Sequence, residues 1–279
     1  MKNCCDLHTH SIYSDGTWTP TEIIAEAQRI GLSAVALTDH NTVEGLTELF
    51  RAAEGTGVET IGGVEFSTDY LDVELHIVAL FVKPQHFSAI SERVAELDKR
   101  KEESNIALAV ALTAGGYEVD YEEIKARTPK GHVNRAHFAS ALLEKGYVQS
   151  IPEAFERLLS KTGGFYNQPK RLEVFETLEF LREIGCSSVL AHPFQELDEE
   201  GVRQFLTLAK PHGLDGMETE YAKYDDGQVA RLKAIAKEFD MKESGGSDFH
   251  GDRRKGTALG FGQGNLRIPK AFADKLHKE

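Results

Sequence analysis

Five strand-like runs in this chain lead directly into side chains that bind metal ions, and that recurrence limits the folds open to it. Residues 4–7 run into His8 and His10, 33–38 into Asp39-His40, and 58–63 into Glu65; 187–191 run into His192, and 241–244 into Asp248 and His250. A further run, 74–82, carries His76. Helical patterns lie between them. Thr19-Pro20-Thr21-Glu22 is a capping box with proline at the first helical position, and Ile23, Ile24, Ala27 and Ile30 follow at helical spacing until Gly31. Strands alternating with helices predict a parallel sheet or barrel. In a parallel barrel the C-terminal strand ends share one face, where barrel enzymes keep their catalytic groups. Buried polar groups are costly without partners, so this many histidines and carboxylates on one face call for bound cations.

Between about residues 84 and 169 the rhythm changes. An amphipathic stretch over 88–114 ends at Gly115-Gly116, and shorter helical signals follow over 121–127, 134–145 and, capped by Ser150, to 159. The expected organisation is a barrel from residues 1–85 and 170–279, with a helical insertion, 86–169, covering the site. A length of 279 residues suits one large α/β domain with an insertion.

The net charge of -13 argues against a broad basic face that coats duplex DNA. It leaves room for a small phosphorylated substrate, because bound divalent ions invert the local field. No apolar run approaches the roughly 18–20 residues of a membrane span, and the N-terminus lacks a signal-peptide pattern. Three cysteines, Cys4, Cys5 and Cys186, are an odd number and point to a reducing compartment. A cytoplasmic protein with no membrane partner is expected.

Two residues apart on a strand, His8 and His10 project from the same face. Asp15 follows at a turn beside Gly16 that can return its carboxylate to them. Imidazole and carboxylate ligands without a thiolate suit Mn²⁺, Fe²⁺ or Zn²⁺. His86, His132, His212 and His277 read as surface or loop histidines. Lys223 and Arg253-Arg254-Lys255 read as a solvated basic cluster or as phosphate contacts from the rim, and Phe165-Tyr166 as core packing in preference to a base-stacking pair.

Asp6-Leu7-His8-x-His10, Ser14-Asp15-Gly16, Leu37-Thr38-Asp39-His40, Gly63-x-Glu65, His76, Ala191-His192-Pro193 and Gly246-Ser247-Asp248-x-His250 together resemble the motifs of the polymerase and histidinol phosphatase (PHP) family. The inserted Gly131-His132-Val133-Asn134-Arg135-Ala136-His137-Phe138-Ala139 resembles the branch that contains nucleoside 3',5'-bisphosphate phosphatase and a 5'-to-3' exonuclease of RNA ends. The resemblance implies an α/β fold, a distorted seven-stranded TIM-like (β/α)7 barrel, and three divalent ions, with Mn²⁺ expected. One ion would take His8, His10, Glu65 and Asp248. A second would share Glu65 and add His76 and His137, and a third would take Asp15, His40, His192 and His250.

The implied reaction is hydrolysis of a nucleotide phosphate monoester, or of the 5' end of a short oligonucleotide, by a metal-bound hydroxide. Asp39 is expected to orient an imidazole or serve as general acid, alongside His40 and His192 as catalytic groups. Arg135 is expected to hold a phosphate from the first turn of a helix begun at Asn134, with Phe138, Ser104, Asn105 and His250 as further substrate contacts. Glu103 stands where that branch often carries a base. A histidinol-phosphate-type phosphatase and a metal-dependent amidohydrolase are the alternatives, followed by a non-catalytic barrel.

Overall fold

The alternation of strands and helices builds a nearly closed barrel, seen in a computed structural model that describes residues 3–128, 133–167 and 169–278. The chain divides into two compact units, Met1–Glu92 with Arg171–Glu279, and Arg93–Lys170. The first begins with β1 (Cys5–Asp6), α1 (Pro20–Ile30), β2 (Ala34–Leu37), α2 (Leu46–Ala52), β3 (Glu59–Tyr70) and β4 (Val73–Leu80). The chain leaves it along α3 (Phe87–Ala114), and the second unit adds α4 (Tyr121–Arg127), α5 (Arg135–Glu144) and α6 (Ile151–Ala154). The barrel resumes with β5 (Leu172–Glu173), α7 (Val174–Glu183), β6 (Ser187–Leu190), α8 (Glu199–His212), β7 (Gly216–Tyr221), α9 (Asp226–Glu238), β8 (Lys242–Gly246) and α10 (Lys270–Leu276).

The main sheet runs β1-β2-β3-β4-β6-β7-β8, with β5 against β3. Its two ends meet beyond β1 and β8. The Leu7 N–H donates to the Gly245 carbonyl (3.2 Å), the Asp248 N–H to that of His8 (2.9 Å) and the His10 N–H to that of Phe249 (2.8 Å). Glycine permits this closure at position 246, where a Cβ would lie 2.1 Å from that of His8. Ala34, Ala36, Ile61, Val78, Leu80 and Val189 belong to the buried apolar cluster beneath the site. The capping box at α1 forms as its sequence requires, with the Glu22 N–H on Thr19 Oγ1 (3.1 Å) and the Thr19 N–H on Glu22 Oε2 (2.7 Å).

One departure from the expected parallel sheet decides where His76 goes. β3 and β4 are antiparallel, joined through Leu71 and Asp72 with φ of 53° and 65°. Two residues are too few for a parallel crossover, which needs a dozen or more, and left-handed conformations at both positions make the primed hairpin turn. The usual Asn-Gly signal of that turn is missing. β4 therefore begins, rather than ends, at the rim reached by the C-terminal half of β3. Glu65 likewise lies within β3, five residues before its end at Tyr70, and not at a strand terminus.

The helical unit has its own core, in which Leu108, Leu112, Phe138, Leu142, Leu158 and Leu159 are all buried. Gly131 and His132 fall outside the described residues. Among the described residues, no helix is long and apolar enough to cross a membrane.

Candidate metal centre

A single carboxylate occupies the middle of the barrel rim. Glu65 Oε2 lies 3.2 Å from His8 Nε2, 3.2 Å from His10 Nε2 and 3.0 Å from His40 Nδ1. Its Oε1 lies 2.8 Å from His76 Nδ1 and 3.1 Å from His192 Nε2. Five imidazoles thus converge on one side chain that is 1% exposed. Asp248 Oδ1 stands 3.3 Å from His10 Nε2 and 3.3 Å from His250 Nδ1, while Asp15 Oδ1 stands 3.2 Å from His250 Nε2.

Local backbone geometry brings these groups in. Asp15 is returned by the loop after β1, which Asp39 pins through the Ser11 N–H (2.7 Å), the Ser11 hydroxyl (2.6 Å) and the Ser14 hydroxyl (2.6 Å). Asp39, expected to orient an imidazole or donate a proton, holds this loop through both of its carboxylate oxygens. His192 and Asp248 both adopt positive φ, 29° and 52°, uncommon for residues with a Cβ and concentrated here at the rim.

The electrostatics are those of a cation-binding site. Burial disfavours charge on Glu65 and Asp248, but the surrounding imidazoles outweigh it and hold both carboxyls well below the usual range. Burial likewise opposes the imidazolium of His10 and His76, yet the facing carboxylates push them up to about 9 and about 10. His40, where burial dominates, is pushed down to about 3. His10 Nδ1, His40 Nδ1, His192 Nδ1, His250 Nε2 and Glu65 Oε2 are buried without a well-aligned hydrogen bond. Orphaned buried acceptors on this scale are costly, and divalent ions are the chemistry that satisfies such a donor set.

Three sets of side chains can each converge on an ion: His10, Asp15, His40 and His250; His8, His10 and Glu65; and His40, Glu65 and His76. His192 departs from the grouping implied by resemblance. Instead of joining Asp15, His40 and His250, it sits on the Glu65 oxygen that His76 also contacts. Strand order explains the difference, because β6 pairs with β4 and so carries His192 to the His76 side, whereas β8 closes onto β1 and carries His250 to the His10 side.

Within the helical unit, Asn134 caps α5 and His137 Nδ1 accepts the Asn134 N–H at 3.0 Å, completing a capping box. Arg135 lies over the Tyr166 ring, 4.6 Å from its centroid, and donates to the Leu159 carbonyl at 3.2 Å. Three side chains expected at the substrate have structural partners here. Phe138 is fully buried, the Asn105 amide donates to the Val133 carbonyl (3.1 Å), and the Ser104 hydroxyl donates to that of Asn167 (2.6 Å). His86, expected at the surface, is buried with Nδ1 3.3 Å from Cys186 Sγ. Arg254, expected in solvent, pairs with Asp248 Oδ2, which also accepts the Tyr221 hydroxyl at 2.8 Å.

Two buried carboxylates had no role in the sequence reading of the site, Glu218 altogether and Asp6 beyond its place in the opening motif. Glu218 on β7 contacts His8 Nδ1 at 2.8 Å and accepts the His192 N–H at 2.7 Å. Asp6 accepts the Ser247 N–H (2.9 Å), the Ser247 hydroxyl (2.5 Å) and the Gly260 N–H (2.8 Å), tying the turn before Asp248 to β1. The available signal was a glutamate inside the buried strand pattern Gly216-Met217-Glu218-Thr219, where an acid needs a partner.

Comparison with known proteins agrees with this geometry. The PHP domain family matches residues 6–166. The 5'-3' exoribonuclease of Haemophilus influenzae is 34% identical over 249 residues, covering 88% of this chain and 89% of that protein. The 3',5'-nucleoside bisphosphate phosphatase of Chromobacterium violaceum is 27% identical, covering 91% and 90%. The crystal structure of a candidate metal-dependent phosphoesterase from Bifidobacterium adolescentis superposes with a TM-score of 0.80 at 25% identity, over 99% of this chain and 96% of that one.

Proposed function

The chain belongs to the PHP domain family, and on that premise we propose that it is a metal-dependent phosphoesterase hydrolysing nucleotide phosphate monoesters. A nucleoside 3',5'-bisphosphate or 5'-nucleotide is the preferred substrate, and the 5' end of short RNA is a further one. The observation that carries this reading is the convergence of five imidazoles on the buried carboxylate of Glu65. Relatives named for nucleotide and RNA substrates support it. Three free cysteines fit a reducing cytoplasmic setting.

The residues that would hold the ions are His8, His10, Asp15, His40, Glu65, His76, His192, Asp248 and His250; His137, which the resemblance adds, has its Nδ1 on the Asn134 N–H and is left out of this set. We assign three ions, with Mn²⁺ the first choice. When bound, such ions supply positive charge to phosphate oxygens and lower the pKa of water. The chain itself does the positioning. Tyr221 and Arg254 occupy Asp248 Oδ2 and leave Oδ1 toward the cluster, and Asp39 fixes the loop that delivers Asp15.

The direct test is phosphate release with Mn²⁺ from a panel of nucleoside 3',5'-bisphosphate, 5'-mononucleotide, 5'-phosphorylated short RNA and histidinol phosphate. Metal-dependent turnover should favour the nucleotides; no turnover of any ester would end this reading. Arg135, the proposed phosphate contact, is already stacked on Tyr166. Losing a hydrogen bond to a charged group costs about 1.5–3 kcal/mol. Arg135→Ala should therefore raise KM by at least about tenfold while elemental analysis finds metal content unchanged; a parallel fall in bound metal would assign it a structural role instead.

A further inference from the structure

Glu218 lies behind the candidate ligands rather than among them. It is 1% exposed, and its two oxygens reach two different strand ends. Oε1 is 2.8 Å from His8 Nδ1, and Oε2 accepts the His192 backbone N–H at 2.7 Å. With a carboxylate oxygen as its neighbour, His8 Nδ1 is the ring nitrogen that donates, which leaves Nε2 as the one that can coordinate a cation. That Nε2 is the atom facing Glu65 Oε2 and Asp248 Oδ1. At the other oxygen, the bond restrains a residue with φ 29° and ψ 53°, a conformation a Cβ-bearing residue holds only when its surroundings impose it.

We infer that Glu218 is the positioning residue of the metal centre, setting the His8 tautomer and the His192 backbone with one buried carboxylate. This rests on the proposed function only in requiring that the cluster bind cations. Asp39 and Asp6 hold loops, whereas Glu218, itself outside the candidate ligand set, uses its two carboxylate oxygens to contact one candidate ligand's ring and another's backbone. Glutamine in its place has one acceptor oxygen for two donors. Either the His192 N–H loses its acceptor, or the amide donates to His8 Nδ1 and moves the ring proton to Nε2, where it blocks coordination.

The experiment is a titration of the full-length, metal-stripped protein with Mn²⁺ alone, following free Mn²⁺ by electron paramagnetic resonance. Glu218→Gln should weaken binding by about 10–100-fold, the usual effect of losing a carboxylate behind a ligand histidine. Thr219→Val, at the next residue of the same strand, removes a partly buried hydrogen bond from the Thr219 hydroxyl to Glu243 (2.9 Å) and should leave Mn²⁺ affinity as in the native chain. Glu218→Asp keeps the charge but is too short to bridge both partners, and should fail to restore affinity. Native-like binding by Glu218→Gln or Glu218→Asp, or an equal loss in Thr219→Val, would overturn the inference. If the unaltered chain takes up no Mn²⁺, the metal-centre reading falls with it, an outcome distinct from the other three.

Discussion

Glu65→Gln should reduce metal-dependent phosphate release by about 10³-fold, because the ions that Glu65 would help to hold supply several kcal/mol of charge stabilisation and each 1.4 kcal/mol is a factor of ten. Both oxygens are in use: Oε2 faces His8, His10 and His40, and Oε1 faces His76 and His192. An amide of the same shape must turn its NH₂ toward one of these groups, and an NH₂ neither coordinates a cation nor compensates its charge. The substitution conserves volume, and circular dichroism on the variant checks that the fold is retained. Bound metal should fall together with kcat/KM, measured by elemental analysis on the protein used for the assay. Retention of both within tenfold would show that Glu65 is not the centre of the site.

Stripping the metal with a chelator should lower the thermal midpoint by roughly 10 °C, reversibly on adding Mn²⁺. A ligand at a thousand times its Kd stabilises by about 4 kcal/mol, and a chain of this size shifts by roughly 2–4 °C per kcal/mol. The gap between loaded and stripped protein should widen as pH rises from 6 to 8.5. His10 and His76 are raised to about 9 and about 10 in the stripped chain, so protons compete with cations for these rings and compete less as pH rises. The stripped chain has the opposite dependence on its own. Imidazoles with raised pKa values contribute stability that is complete below the ordinary 6.5 and is lost as pH rises through about 9 and 10. Glu65 and Asp248, held low, contribute stability present above their ordinary 4.5 and 3.8 and lost only in strong acid. Thermal melts with and without chelator at several pH values measure both slopes; a gap that narrows with rising pH would contradict coordination by these rings.

What could be read along the chain was whatever depends on local pattern. The capping box at Thr19, the buried strands that lead into His40 and His192, and the helical stretch between the two barrel segments are set by side-chain period and by residues whose backbone preferences are strong. The kinds of ligand and their order along the chain were equally visible, because metal affinity belongs to the residue type. Which ligand faces which depended on features no local window contains. The reversal of β4 comes from a Leu-Asp turn that carries no glycine signal, and it brings His76 to the rim from the start of its strand. Pairing of β6 with β4, and closure of β8 onto β1, move His192 and His250 to opposite sides of Glu65. Glu218 and Asp6 look in sequence like acids misplaced in buried strands, and acquire a purpose only when partners 210 and 241 residues away arrive. The sequence by itself determined the repeating strands and helices and the inventory of ligands. Only the tertiary structure decided their partners, because distances between side chains on separate strands follow from strand order and direction, which are properties of the whole sheet.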